Sequence, residues 1–137
     1  MKKLLLSLIF SLVILAPLAL QAQTDAVAKG KRGGYLVTSA EQNSVSFEIV
    51  DNGSEVKIFP CGPNGEMLSV VPTEAEITVV YLSTTIQHHE KEVQLTNGAF
   101  TINPPREYPI YMYGIRYIFN DQEFSVKYRI PGSPQPR

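Results

Sequence analysis

Ser44-Val45-Ser46-Phe47-Glu48-Ile49-Val50-Asp51-Asn52-Gly53-Ser54-Glu55-Val56-Lys57-Ile58-Phe59 is the stretch that decides the fold. Val45, Phe47 and Ile49 alternate with Ser44, Ser46 and Glu48, the period of two that puts one face of a strand in a core. Asn52-Gly53 then supplies the dipeptide favoured in a two-residue hairpin turn, because both central residues there need positive φ. With that pair as the turn, Ile49 lies opposite Val56, Phe47 opposite Ile58, and Glu48 opposite Lys57. Apolar meets apolar and acid meets base; each such cross-strand pair contributes about 0.2–1 kcal/mol.

Working outward, the same test succeeds twice more. A turn at Asn97-Gly98 sets Leu95 against Phe100 and Val93 against Ile102. A turn over Asn120-Asp121-Gln122-Glu123 sets Phe119, Tyr117 and Ile115 against Phe124, Val126 and Tyr128. A one-residue slip in any of these would turn an apolar side to water. Tyr35 to Thr38 and Met67 to Val71 read as short strands. Glu76 to Ile86 carries apolar residues on both sides and reads as a central strand. The pattern predicts an all-β antiparallel fold of about seven to eight strands, a two-sheet sandwich of immunoglobulin-like shape, with a small β-barrel as the alternative. The paired cysteines and core tryptophan of immunoglobulin domains are absent, since the chain has one cysteine and no tryptophan.

The ends are of a different kind. Met1-Lys2-Lys3 is followed by a nearly unbroken apolar run from Leu4 to Leu15, then Pro17 and the small residue Ala22. That order of charge, apolar stretch and small-residue exit predicts a signal peptide over 1–22. Its apolar run falls short of the roughly 20 residues of a membrane-spanning helix. Residues 23–33 read as a flexible linker, 34–131 as the β-domain and 132–137 as a disordered tail. The expected location is the periplasm or the exterior, with no transmembrane segment in the mature chain.

Of 12 basic and 13 acidic residues, loss of the signal removes Lys2 and Lys3, which leaves a formal charge of −3. So mild a balance gives no electrostatic case for nucleic acid. Cys61, without an internal partner, is read as a buried thiol.

Both histidines fall in His88-His89-Glu90. Imidazole and carboxylate suit zinc or copper(II), so His88, His89 and Glu90 are the metal-ligand candidates. Neighbouring side chains on a strand face opposite ways. The three can therefore share one ion only from a loop, which is where the segment between Ile86 and Val93 is expected. Cys61, Met67 and Met112 are soft donors without a joining motif. Tyr108 and Tyr111 flank Pro109 and are candidates for an interaction surface. Gly-x-Ser-x-Gly does not occur, and no serine or cysteine sits in a recognised nucleophile motif, so the chain is expected not to be an enzyme.

Arg32-Gly33-Gly34, Val45 to Val50, Val56 to Phe59, Gly62-Pro63-Asn64-Gly65-Glu66 and Leu95 to Phe100 together resemble a group of small exported Bacteroidetes-type proteins. Those carry a Gly-Gly start followed by short strands and a final hairpin, and they accompany copper or heavy-metal efflux in the periplasm. The resemblance implies a β-sandwich, a role beside metal handling and a second envelope protein as partner. It transfers only onto Gly33, Gly34 and Glu48; where the group has a histidine before the two glycines, this chain has Arg32. Gly33, Gly34, Tyr108 and Tyr111 are thus the interaction candidates, and copper or zinc the candidate ligand. The expected function is a non-catalytic exported binding module, the alternative a structural envelope protein without a small ligand.

Overall fold

A computed structural model describes residues 28–39, 41–83 and 85–132. The expected signal peptide and most of the expected tail lie outside the described residues. Among the described residues, nine antiparallel strands and no helix make up the fold: β1 (Ala28–Lys29), β2 (Tyr35–Val37), β3 (Ser46–Asp51), β4 (Val56–Cys61), β5 (Glu74–Tyr81), β6 (Gln87–Thr96), β7 (Ala99–Ile102), β8 (Ile110–Phe119) and β9 (Gln122–Arg129). They form one sheet in the order β1-β2-β3-β4-β7-β6-β5-β8-β9. The expectation of an all-β antiparallel fold is met, as a continuous sheet curled into a half-barrel.

The curl passes through β6. Leu95 and Thr96 pair with β7, whereas Gln87 to Gln94 pair with β5. Within the part paired with β5 the register shifts between Glu90 and Val93, and Glu92 there adopts φ 58. A β-bulge of this kind adds a residue to one strand and bends it. It also resets the alternation: His88 and Glu90 share the inward side with Val93 and Leu95, while His89 and Lys91 face out.

The two halves of the curled sheet close on one core. Phe47, Ile49, Val56, Ile58, Phe100 and Ile102 come from one half; Ile77, Val79, Tyr113, Ile115, Tyr117 and Phe124 come from the other. Each fully buried aliphatic or phenyl side chain contributes about 1.5–3 kcal/mol over leaving it exposed. Phe47 meets Tyr117 edge-on, with ring centroids 5.1 Å apart. The Tyr117 hydroxyl accepts from the Val45 amide at 3.1 Å, a bond that ties the halves across the core. At the opposite end, Arg106 grips Asp51 through two hydrogen bonds of 2.8 and 2.9 Å, and the Tyr113 hydroxyl donates to Asp51 at 3.2 Å.

The Asn97-Gly98 hairpin pairs Leu95 with Phe100 as expected. Both turn residues have positive φ, 53 and 81. The other two hairpins pair in registers two positions from the expected ones. In the first, Ile49 lies opposite Ile58, and Val50, not Glu48, opposite Lys57. The Asn52 side chain accepts from the Ser54 and Glu55 amides, so Asn52 flanks the turn and Gly53-Ser54 forms its centre. Gly53, at φ 98, holds the first central position. In the third hairpin Asn120 and Asp121 alone make the turn, with φ 51 and 62. Tyr117 then faces Phe124, and Ile115 faces Val126. Because side chains repeat every two residues, a shift of two changes the partners and preserves the faces.

Two other expectations give way. Met67 to Val71 is not a strand, and Met67 and Val70 are 85% and 63% exposed. The segment carries the chain from one half to the other and runs into Pro72, which has no N–H for a ladder. β5 is central, between β6 and β8, but its outward residues Glu76, Thr78 and Val80 are only half-buried. Ala28 and Lys29 pair with Leu36 and Tyr35, so strand structure begins inside the segment read as a linker.

Candidate functional site

The outward sides of the two halves differ. Over β2, β3 and β4 the N-terminal arm folds back. Gly30 and Gly33 shape its turn, with the Gly33 amide bonded to the Gly30 carbonyl at 3.2 Å and Gly33 at φ 79. Beneath it lies Glu48, 0% exposed, whose carboxylate accepts from the Arg32 amide at 2.8 Å, the Gly34 amide at 3.0 Å and the Arg32 guanidinium at 3.4 Å. The same guanidinium stacks 4.2 Å from the Phe59 ring centroid. A Cβ on Gly30 would strike the Glu48 side chain, and one on Gly34 the Ile49 carbonyl. The three positions singled out by resemblance, Gly33, Gly34 and Glu48, thus belong to one clasp, and Glu48 is its centre, not a surface partner of Lys57. Cys61 is buried on this side as expected. Burial, then the nearby Glu48 charge, push its thiol up to about 11, so it is fully protonated at neutral pH.

Over β5, β6, β8 and β9 the outward side is open to solvent. His88-His89-Glu90 is not a loop but the start of β6, opposite Val79, Thr78 and Ile77. The strand therefore divides the three. His88 and Glu90 face inward together, with His88 Nε2 3.6 Å from Glu90 Oε2. Neither atom has a hydrogen-bond partner among the described residues. His89 faces outward. Its Nδ1 lies 2.7 Å from Thr78 Oγ1, and its Nε2 meets Glu76 Oε1. Its hydrogen bond, outweighing a small desolvation, holds the Glu76 carboxyl below its ordinary range, and the Arg116 charge adds to this.

Two grooves flank this network. One, of about 270 Å³, runs over Thr78, His89, Gly114, Arg116, Ser125 and Lys127. The other, of about 470 Å³, includes Glu74, Glu76, Lys91, Arg116, Ile118 and Glu123. Thr78 pairs with Gly114, and Gly114 with Lys127. The missing side chain leaves a notch in the outward row; a Cβ there would come no closer than 3.7 Å to Thr78. Arg116 bridges Glu123 at 2.6 Å and Glu76 at 4.0 Å.

The aromatic candidates lie elsewhere. Tyr108 is 44% exposed in the connection before β8. Tyr111 is half-buried, with the Arg129 guanidinium 5.3 Å from its ring centroid. Thr78, Glu76 and Gly114 were missed by sequence reasoning. The signal was there in part: on a β5–β6 pair, Thr78 and His89 are direct neighbours, but only once the bulge fixes the register.

Among the described residues, no group of three or more His, Cys, Asp or Glu side chains is placed to hold a metal, and no helix is long and apolar enough to cross a membrane. Comparison of the chain with protein-family models, with curated proteins and with solved structures gives no match.

Proposed function

We propose that this chain is an exported binding module of the bacterial envelope whose cargo is a divalent or copper ion, held for transfer to a partner protein and not for turnover. The observation that carries this reading is the inward pair on β6. An imidazole nitrogen and a carboxylate oxygen, neither with a hydrogen-bond partner among the described residues, face each other at 3.6 Å. Two donors of one tetrahedral zinc ion, each at about 2.0–2.2 Å, would stand about 3.4 Å apart. The spacing fits, and the chemistry of the set suits zinc or copper(II).

Two protein ligands leave positions open for water or for a donor from another protein. Structural zinc sites fill all four positions from the chain itself. A half-filled set favours exchange over storage, in keeping with handling rather than scaffolding. The two apposed halves of the curled sheet would act as the layers of a sandwich around it. Export rests on the apolar N-terminus, and the partner is an envelope protein.

Titration of the processed chain with zinc and with copper(II), followed by thermal melting, tests the reading. A metal at 100 times its dissociation constant should add about 2.7 kcal/mol of stability. His88→Ala and Glu90→Ala should each abolish that gain, while His89→Ala should keep it. No gain with either metal, or a gain that survives His88→Ala, overturns the assignment.

A further inference from the structure

The outward side of β6 carries a second arrangement that metal holding does not use. Thr78, His89 and Glu76 form a hydroxyl–imidazole–carboxylate chain, with Thr78 Oγ1 at 2.7 Å from His89 Nδ1 and Glu76 on the other ring nitrogen. A nucleophile within hydrogen-bond reach of a base, which is in turn oriented by a third group, is the structural signature of an activated hydroxyl. In the tautomer with the ring proton on Nε2, toward the Glu76 carboxylate, Nδ1 accepts from Thr78.

Three further features make this more than a satisfied cross-strand contact. Gly114, beside Thr78 in the neighbouring strand, leaves a notch in the outward row where any other residue would place a Cβ 3.7 Å from Thr78 Cβ. Lys127 lies on the far side of that notch and lines the same groove, with Arg116 next to it. Cations so placed can stabilise an oxygen that gains negative charge. Val80 and Met112 supply an apolar wall.

We infer that Thr78 is the nucleophile of an acyl-transfer site on the outer face of β5, β6 and β8, with His89 as base, Glu76 as positioning residue and small acyl esters as the substrate class. Thr78 Oγ1 attacks the ester carbonyl carbon while its proton passes to His89 Nδ1. The carbonyl oxygen takes up the electron pair beside Lys127. As the tetrahedral species collapses, the bond to the leaving alcohol breaks, and His89 returns the proton to that alcohol. Water then attacks the acyl-threonine, gives a proton to His89, and releases the acid as Thr78 recovers its proton. Ester and water become acid and alcohol, with no oxidant or reductant. This capability lies beyond the binding reading and stands apart from it, since His88 and Glu90 are on the other side of the strand; it sets aside the expectation of no catalysis.

The test uses the processed chain and p-nitrophenyl acetate. Hydrolysis above background is expected, with an acetyl group found on Thr78 by peptide mass spectrometry. His89→Gln should lower kcat/KM about 100-fold, the scale of a lost general base. Thr78→Val, which keeps the β-branched shape, should abolish the enzymatic rate, and Thr78→Ser should restore it with the label on the new hydroxyl. Gly114→Val should block the notch with an unchanged Tm. Wild-type hydrolysis at the background rate overturns the inference. So does a full rate in folded Thr78→Val, or an acetyl group on Lys127 or Lys91 in place of Thr78; the labelling of the wild-type chain decides the matter even if a variant fails to fold.

Discussion

Two glutamates, each on the outward side of a strand in the same sheet, have opposite fates. Glu48 on β3 is sealed under the N-terminal arm and satisfied by two backbone amides and a guanidinium. Glu76 on β5 lies at an open groove and shares its charge with His89 and Arg116. The strand places both carboxylates alike; what covers the strand decides whether a carboxylate becomes an anchor or stays available to a ligand. A covered charge must be paired, or its burial costs several kcal/mol. An uncovered one contributes little to stability and is free to serve chemistry.

The largest effect should come from removing the anchor. Glu48→Ala leaves the buried Gly34 amide and the half-buried Arg32 amide without acceptors and a cavity beneath the arm, and should cost about 3 kcal/mol or more, read from the urea midpoint. A loss under about 1 kcal/mol would mean that the arm does not depend on Glu48. Next in size is a pair of glycines. Gly34→Ala forces backbone apart on the covered side and should cost about 1–3 kcal/mol. Gly114→Ala, on the open side, meets only ordinary contact and should stay within about 0.5 kcal/mol. Equal costs for the two would erase the distinction between the faces.

A smaller effect concerns acid. Burial raises the Asp51 pKa, but the Arg106 hydrogen bonds, the Gly53 amide, the Arg106 charge and the Tyr113 hydroxyl outweigh it, so the folded value lies below the ordinary 3.8. Its contribution is then complete above about pH 3.8 and is lost as the pH falls through the lower folded value. Arg106→Leu should move the acid-unfolding midpoint to higher pH, while leaving the neutral-pH fold in place. An unmoved midpoint would remove Asp51 from the account. Least of all should change at Cys61: with its pKa raised from 9.0 to about 11, its thiolate fraction falls about 100-fold, and thiol reagents should label it only after unfolding.

How far the fold was legible follows from the same physics. Alternation fixed which residues face the core, because the faces survive a register error of two. The turns were less legible. Asn52 was expected in the centre of its turn, but its side chain caps the following amides and draws it to the flank. Asn120 and Asp121 adopt positive φ without a glycine, so the loop is shorter than expected. At the site, the segment was expected as a loop in which His88, His89 and Glu90 could share one ion; it opens β6 instead, and strand alternation divides His88 from His89. The pairing of His89 with Thr78 and Glu76 was not legible either, because it depends on a bulge that has no glycine or proline to announce it. Glu48 offered no sign of burial, since a carboxylate amid Phe47 and Ile49 reads as the wet side of a strand until the arm is seen to cover it.

Glu92 carries a consequence of its own. It is the surplus residue of β6: Lys91 and Glu92 look outward in succession, and the strand alternates regularly on either side of them. Deleting Glu92 would set Lys91 opposite Glu76 and close the ladder between Ala75 and Ile77 without a gap. His88 and Glu90 would stay inside and His89 outside, because the strand would alternate without interruption from one end to the other. What would go is the bend that the extra residue imposes, so a single-residue deletion there would straighten the strand while keeping both sets of side chains on their own sides.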